Sequence, residues 1–154
     1  RIIPGVVIGL SVIGLIVIAY LLVRNRIDSV SIMNELNKKS GITRHTYLIT
    51  GLYISLGNSF LEEFFFRRTI FWNLYQADLK YFAHIGSSLL FSIYHLAIFQ
   101  TWFSPFIMLL ALLGLLAAGL FLNYMVQRTH SLLSSWIIHL CANLAIIGIG
   151  YTWM

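Results

Sequence analysis

The sequence predicts an all-α fold, a polytopic membrane bundle of about five transmembrane helices. Composition is the first observation behind this prediction. Of the 154 residues, 59% are apolar and only 10% are charged, and the mean hydropathy is +0.85, which is far from the averages of soluble domains. The second observation is that apolar segments of ~20 residues or more, enough for a helix to cross a bilayer, recur along the chain. The chain is therefore predicted to be an integral membrane protein.

The apolar segments divide the chain into five predicted spans. The first lacks a short basic leader before a short apolar core, so we expect it to be a lasting membrane helix and not a cleaved signal peptide. The fourth begins at Ser104-Pro105, a pair typical of a helix start because proline fits the first helical position. The predicted spans are 2–23, 47–75, 81–102, 105–127 and 132–153.

The extended polar segment, residues 24–45, separates the first two predicted spans. Within it, apolar residues recur at helical spacing, which predicts an amphipathic helix at the membrane surface that ends at Ser40-Gly41. The segment carries part of the formal charge of +5, and anchoring at an anionic lipid surface explains that charge better than nucleic-acid binding. We therefore expect membrane lipids as partners and no nucleic acid.

Small residues mark two helix faces. Gly5 and Gly9 in the first span, and Gly114 and Gly119 in the fourth, would let a neighbouring backbone approach closely, which predicts helix packing at these positions. Cys141 is the only cysteine, so an internal disulfide and a cysteine-rich metal site are both excluded.

Three short patterns of polar residues lie on three different predicted spans. Ionisable side chains are costly in lipid and usually face protein or water, so each pattern is a hypothesis of function. Each pattern alone is weak, but together they predict one polar cavity within the membrane region. The patterns are Glu62-Glu63-x-x-x-Arg67, Phe91-x-x-x-His95 and His139-x-x-x-Asn143.

Helix geometry assigns different parts to the two glutamates. At 100° per residue, Glu63 and Arg67 lie about 40° apart around the axis and can form an ion pair, whereas Glu62 lies about 140° from Arg67. We therefore predict that Glu62 faces the histidines as the chemical carboxylate. Glu63 and Arg67 are predicted to be a structural pair that neutralises charge and fixes the rotation of the helix.

The same reasoning applies to the other two patterns. His139 and Asn143 lie about 40° apart on one helical face and can point into a shared cavity, while Cys141 lies on the far side and is predicted to be a small buried residue and not a nucleophile. Phe91 shares a face with His95 and could wall the cavity as structural support. Ordinary core packing explains Phe91 equally well.

This set of motifs resembles the CPBP family of intramembrane proteases, the CAAX prenyl endopeptidase and bacteriocin-processing group that is also called the Abi family. The resemblance covers about residues 50 to 147 and includes the helix, basic turn and helix of 119–132. It implies a multi-pass protein, with a bacterial cell membrane as its expected location. It also implies that the chain is the C-terminal core of a larger family fold.

The resemblance implies an intramembrane endopeptidase that hydrolyses a peptide bond of a membrane-associated protein or peptide. It assigns Glu62 as the general base, His95 as the residue that positions or activates the water, and His139 with Asn143 as stabilisers of the oxyanion. These side chains permit the same roles chemically, since a carboxylate can take a proton from water and imidazole and amide groups can donate to developing charge.

Alternatives stay open at this point. Glu62, His95 and His139 would also supply the two histidines and one carboxylate of a hydrolytic zinc site, so a metalloprotease-like reaction with zinc is possible beside a cofactor-free one. A non-proteolytic relative of the same fold could act in peptide binding, bacteriocin immunity or regulation. A transporter that relays protons is a third class, but the sequence shows no internal repeat of the kind such proteins use.

The domain organisation follows from these observations. We expect residues 1–154 to form a single membrane domain. Residues 1–23 form its first span, 24–45 its polar and partly amphipathic connector, and 46–154 its catalytic helical core.

Overall fold

The computed structural model describes residues 3–154, which form a helical bundle with no β-strand among them. The predicted all-α membrane fold is therefore confirmed. In chain order its helices are α1 (Ile3–Val23), α2 (Ser29–Ser40), α3 (Arg44–Tyr53), α4 (Ser59–Glu63), α5 (Trp72–Gln76), α6 (Lys80–Phe99), α7 (Pro105–Thr129) and α8 (Leu132–Tyr151).

Four helical segments of the described chain are long and apolar enough to cross a membrane. They are Ile3–Arg26, which is α1 with a short 3₁₀ turn, and the helices α6, α7 and α8. These segments correspond to the first, third, fourth and fifth predicted spans, although Ile2 lies outside the described residues. Helix α7 begins at Pro105 as predicted, without a capping hydrogen bond from the Ser104 side chain.

The second predicted span, 47–75, differs from a uniform membrane helix. Helices α3, α4 and α5 are joined by two π-helical segments, Ile54–Asn58 and Phe64–Phe71, into one continuous rod over residues 44–76. Each π segment changes the rotation of the side chains that follow it, and such insertions are frequent at functional sites. The carboxylates of Glu62 and Glu63 lie on α4, between the two π segments, and both are buried in protein.

Close helix packing occurs at three of the four glycines for which the sequence predicted it. A Cβ atom would lie 3.0 Å from the Ser134 carbonyl at Gly5 and 2.7 Å from Cys141 Sγ at Gly9, so α1 packs directly on α8. On α7, a Cβ at Gly119 would lie 3.0 Å from the Ser88 Cα of α6. The prediction was wrong for Gly114, where a Cβ would meet no atom of the described chain within 4 Å.

A seam of small polar side chains joins α6 to its neighbours. The Asn123 amide on α7 donates to the Ser88 hydroxyl at 3.0 Å and to the His84 carbonyl at 3.2 Å. Ser87 donates to the Phe66 carbonyl of the rod at 2.8 Å. Hydrogen bonds of this kind hold membrane helices together where apolar burial supplies little driving force, because lipid is as apolar as the helix surfaces. The seam therefore sets the position of α6 between the rod and α7.

The amphipathic helix α2 is present in the polar connector and ends as predicted. Gly41 follows it with φ of +64°, the left-handed conformation that glycine adopts at a helix end. The Thr101 hydroxyl, in the loop after α6, lies 2.7 and 2.8 Å from the two carboxylate oxygens of Glu35. The hydrogen bond from Lys39, together with that from Thr101, lowers the pKa of Glu35. The Glu35 carboxylate thus links α2 to the α6–α7 loop.

We predict that Gly119→Val destabilises the protein while Gly114→Val does not. Both changes add the same side chain to the same helix, but only residue 119 faces the backbone of a neighbouring helix. Overpacking of this kind costs about 1–3 kcal/mol. Thermal unfolding of the two variants in detergent micelles measures the difference, and equal midpoints would contradict the packing described for α6 and α7.

Candidate active site

Glu62 lies at the centre of the polar cluster. Its carboxylate is 8% exposed, and the Asn58 amide one turn earlier donates to its Oε1 atom. Its Oε2 atom has no hydrogen-bond partner among the described residues and lies 3.6 Å from His95 Nε2 and 3.8 Å from His139 Nε2. The structure therefore brings together one carboxylate and two imidazoles from the rod, α6 and α8.

The tautomer of His95 follows from its backbone contact. Its Nδ1 atom lies 2.9 Å from the Phe91 carbonyl oxygen, which can only accept a hydrogen bond, so Nδ1 carries a hydrogen and donates. In the neutral ring, Nε2 therefore has a free lone pair directed at Glu62. Phe91 thus fixes both the tautomer and the orientation of His95.

Glu63 makes a contact that sequence reasoning missed. Its Oε1 atom lies 2.9 Å from His139 Nδ1, so the carboxylate accepts a hydrogen bond from α8 in addition to its contact with Arg67. The spacing within one helix predicts contacts on that helix, but it carries no information about which residue of another helix approaches. Through this bond Glu63 directs the Nε2 atom of His139 toward Glu62.

The predicted contact of Glu63 with Arg67 is present. Arg67 Nε lies 3.4 Å from Glu63 Oε2, and both side chains are fully buried. The pair is close enough for electrostatic attraction, but none of the guanidinium nitrogens is aligned for a hydrogen bond within the described structure. The Arg67 guanidinium instead lies 4.2 Å from the centre of the Phe91 ring, where the ring face attracts a cation.

Phe91 connects the cation to the histidines. Its ring centre lies 4.5 Å from that of His95 and 5.6 Å from that of His139, and the side chain is 2% exposed. It therefore walls the cavity on one side and contacts Arg67 on the other. The two interpretations of Phe91 from the sequence are therefore compatible, because the same ring walls the cavity and packs in the protein interior.

Asn143 lies one helical turn after His139 on α8 and is half-buried. Its side chain makes no hydrogen bond within residues 3–154, so it is outside the bonded cluster. Cys141, between the two, is half-buried against Gly9.

Asn58 was missed by sequence reasoning, although the i,i+4 spacing that relates it to Glu62 is the same spacing that revealed Glu63 and Arg67.

The cluster also fits a metal ion. Glu62, His95 and His139 each offer one ligand atom, and these atoms all lie within 4.8 Å of one another. Ligands at the ~2.0–2.2 Å of a tetrahedral zinc site lie ~3.4 Å apart, close to the two glutamate–histidine distances. The outer ring nitrogens of both histidines bond to a carbonyl and a carboxylate, which is how metal-binding histidines are usually oriented.

Comparison with known families adds to this geometry. The family model described as type II CAAX prenyl endopeptidase Rce1-like matches residues 44–145, which include the rod, α6, α7 and most of α8. The chain belongs to this Rce1-like family. Its function is therefore of the CAAX-type intramembrane protease kind, and the chain is an integral membrane protein. No curated protein and no solved structure matches the chain.

We predict that Arg67→Met lowers stability by about 3–5 kcal/mol, because it leaves the Glu63 carboxylate buried without its cation. The double variant Glu63→Gln with Arg67→Met should recover part of this loss, which a double-mutant cycle measures by unfolding in detergent. The control is Arg68→Met, which removes the adjacent and exposed arginine. An Arg67→Met variant as stable as the Arg68→Met control would show that the ion pair contributes nothing.

Proposed function

We propose that this protein is an intramembrane endopeptidase in which Glu62 activates a water molecule for attack on a peptide bond. One observation carries the proposal. Three buried atoms, Glu62 Oε2, His95 Nε2 and His139 Nε2, converge on one small space, and the other polar atom of each of these groups already has a hydrogen-bond partner. Glu62 Oε2 and the neutral His95 Nε2 are both acceptors, so they need a donor between them, and a water molecule is the donor that a hydrolase uses.

The first step is proton transfer from this water. Glu62 Oε2 takes one proton, while His95 Nε2 accepts a hydrogen bond from the O–H that the resulting hydroxide keeps and so holds its oxygen toward the substrate carbonyl. Burial excludes competing solvent, which strengthens the electrostatic interactions inside the cavity. Because Asn58 donates to the other carboxylate oxygen, Oε2 is the atom left to act as base.

The second requirement is stabilisation of the oxyanion. A proton on His139 gives the ring an Nε2–H donor, while Nδ1–H remains bonded to Glu63. With that proton, the two carboxylates, Arg67 and His139 sum to zero charge, so the buried cluster balances internally. Asn143, one turn along α8, is proposed to add its amide as a second donor when substrate binds. Glu62 then passes its proton to the leaving nitrogen, which completes hydrolysis.

The same three side chains would hold a zinc ion if one binds, since the donor set and its spacing fit. A bound zinc ion would supply Lewis acidity and lower the pKa of the attacking water. The protein's own contribution is then the orientation of both histidines by Glu63 and the Phe91 carbonyl. In either form the proposed substrate is a protein or peptide associated with the membrane, in keeping with the family.

We predict that Glu62→Gln, His95→Ala and His139→Ala each abolish cleavage, because each removes one of the three convergent atoms. Asn143→Ala should lose ~10²–10³ in rate, the usual effect of removing one oxyanion donor. Cys141→Ser, on the same helix as His139, is the control and should retain full activity. Cleavage of a quenched fluorescent peptide in proteoliposomes measures these rates, and a fully active Glu62→Gln variant would exclude Glu62 as the base.

Metal dependence has its own test. We expect cleavage to persist after dialysis against a chelator, because the cluster reaches charge balance with a proton on His139 and no added ion. Elemental analysis of the same sample should then show far less than one zinc per active protein. Loss of activity on chelation, with recovery on addition of zinc, would contradict this and favour the metal-bound form.

A further inference from the structure

An open cavity lies on the protein surface at the end of the rod opposite Arg44, and three of its lining residues, Tyr124, Arg128 and His130, are exposed. It has a volume of about 430 Å³ and is lined by Tyr75, Tyr124, Gln127, Arg128 and His130, where α5 and α7 end. None of these residues belongs to the Glu62 cluster. The cavity therefore requires an explanation of its own.

The hydrogen bonds among the lining residues leave the hydroxyl hydrogens of Tyr75 and Tyr124 free to donate. The Tyr75 hydroxyl oxygen accepts from Gln127 Nε2 at 2.9 Å, and the Tyr124 hydroxyl oxygen accepts from Arg128 Nε at 3.0 Å. Each phenol therefore keeps its own hydrogen to donate. The Gln127 carbonyl is already occupied, since it lies 3.2 Å from His84 Nε2.

The charge of Arg128 also favours an anionic ligand. Arg128 uses one of its five N–H groups on Tyr124, and no carboxylate lies within 4.0 Å of its guanidinium in the described chain. The nearby acid, Asp78, is paired with Lys80 at 2.9 Å. The cavity thus combines two hydroxyl donors with an uncompensated guanidinium, a lining that matches an anion with several oxygens, above all a phosphate.

The position of the cavity at the end of α7 indicates a lipid head group as the source of that phosphate. The cavity lies beside the last turn of α7, a helix long and apolar enough to cross the membrane, and is flanked by aromatic rings. Trp72 stacks on Tyr75 with ring centres 6.0 Å apart and meets the His130 ring at 5.7 Å. Tryptophan and tyrosine concentrate at the level of lipid head groups.

A peptide carboxylate is a weaker match. Tyr75 lies roughly 15–20 Å along the rod from Glu62, from the rise per residue of a helix. A C-a-a-X sequence, which the family's description names, has three residues after its cysteine, and three extended residues span at most ~11 Å. A tail of that length held at Glu62 would not reach Arg128.

We propose that this cavity binds the phosphate of an anionic phospholipid head group. Arg128 supplies the charge, and the hydroxyls of Tyr75 and Tyr124 supply oriented donors. A lipid held here would tie the end of the rod to the end of α7. This binding is independent of the reaction at Glu62.

The test measures lipid retention by native mass spectrometry after release from nanodiscs of phosphatidylcholine mixed with phosphatidylglycerol. We expect the wild type to retain phosphatidylglycerol selectively, and Arg128→Gln to lose about fivefold or more in affinity, the effect of one basic residue at a lipid surface. The double variant Tyr75→Phe with Tyr124→Phe, which keeps both rings, should lose selectivity as well. The control is Arg44→Gln, which removes an exposed arginine at the opposite end of the rod and should lose much less affinity than Arg128→Gln, because Arg44 contributes only general surface charge.

Three outcomes would overturn the proposal. Equal losses in Arg128→Gln and Arg44→Gln would mean that the retention reflects general surface charge. Full displacement of phosphatidylglycerol by inorganic phosphate would assign the cavity to a free phosphate. A peptide with a free C-terminal carboxylate could also bind more tightly than its amidated form. If Arg128→Gln abolished that difference, the cavity would be assigned to a substrate carboxylate.

Discussion

The buried carboxylate of Glu63 is the group on which the arrangement of the site depends. It lies between Arg67 on its own rod and His139 on α8, at 3.4 and 2.9 Å, with no exposure to solvent. Removing such an ion from water costs several kcal/mol unless its partners compensate. Because those partners come from two elements, the rotation of the rod and the position of α8 cannot vary independently. The direction of His139 Nε2, and with it the shape of the space beside Glu62, follows from this bond.

Arg67 extends this constraint to α6. With no aligned hydrogen bond on its guanidinium, the cation is stabilised by Glu63 and by the face of the Phe91 ring. Phe91 in turn contacts both histidine rings, and its carbonyl binds His95. The Phe91 ring therefore contacts the Arg67 cation on one side and the two histidines of the candidate site on the other. A change at Phe91 would disturb the ion pair and the orientation of His95 together.

Protein covers one face of each π segment of the rod, where Ser55 in the first and Phe66, Arg67 and Phe71 in the second are buried. Backbone that departs from regular helix is costly against lipid, and it occurs in membrane proteins where neighbouring side chains satisfy it. The Phe66 carbonyl, inside the second π segment, accepts a hydrogen bond from Ser87 of α6. The seam of serines and Asn123 therefore supports the irregular rod as well as the α6–α7 contact. The lipid-facing surfaces show the opposite composition, with large apolar side chains such as Leu22 that are mostly exposed.

The sequence by itself determined the fold class, four helices that are long and apolar enough to span a membrane, and the amphipathic helix with its end at Ser40, because hydropathy and turn chemistry are local properties. It also determined the contact of Glu63 with Arg67, since neighbours one turn apart on a helix meet regardless of what surrounds them. The π segments, the bond between Glu63 and His139, and the open space at Gly114 were decided only by the tertiary structure. Each depends on which surface of a second helix comes into contact, and residues far apart in the chain are brought together by packing and charge compensation that no single segment specifies.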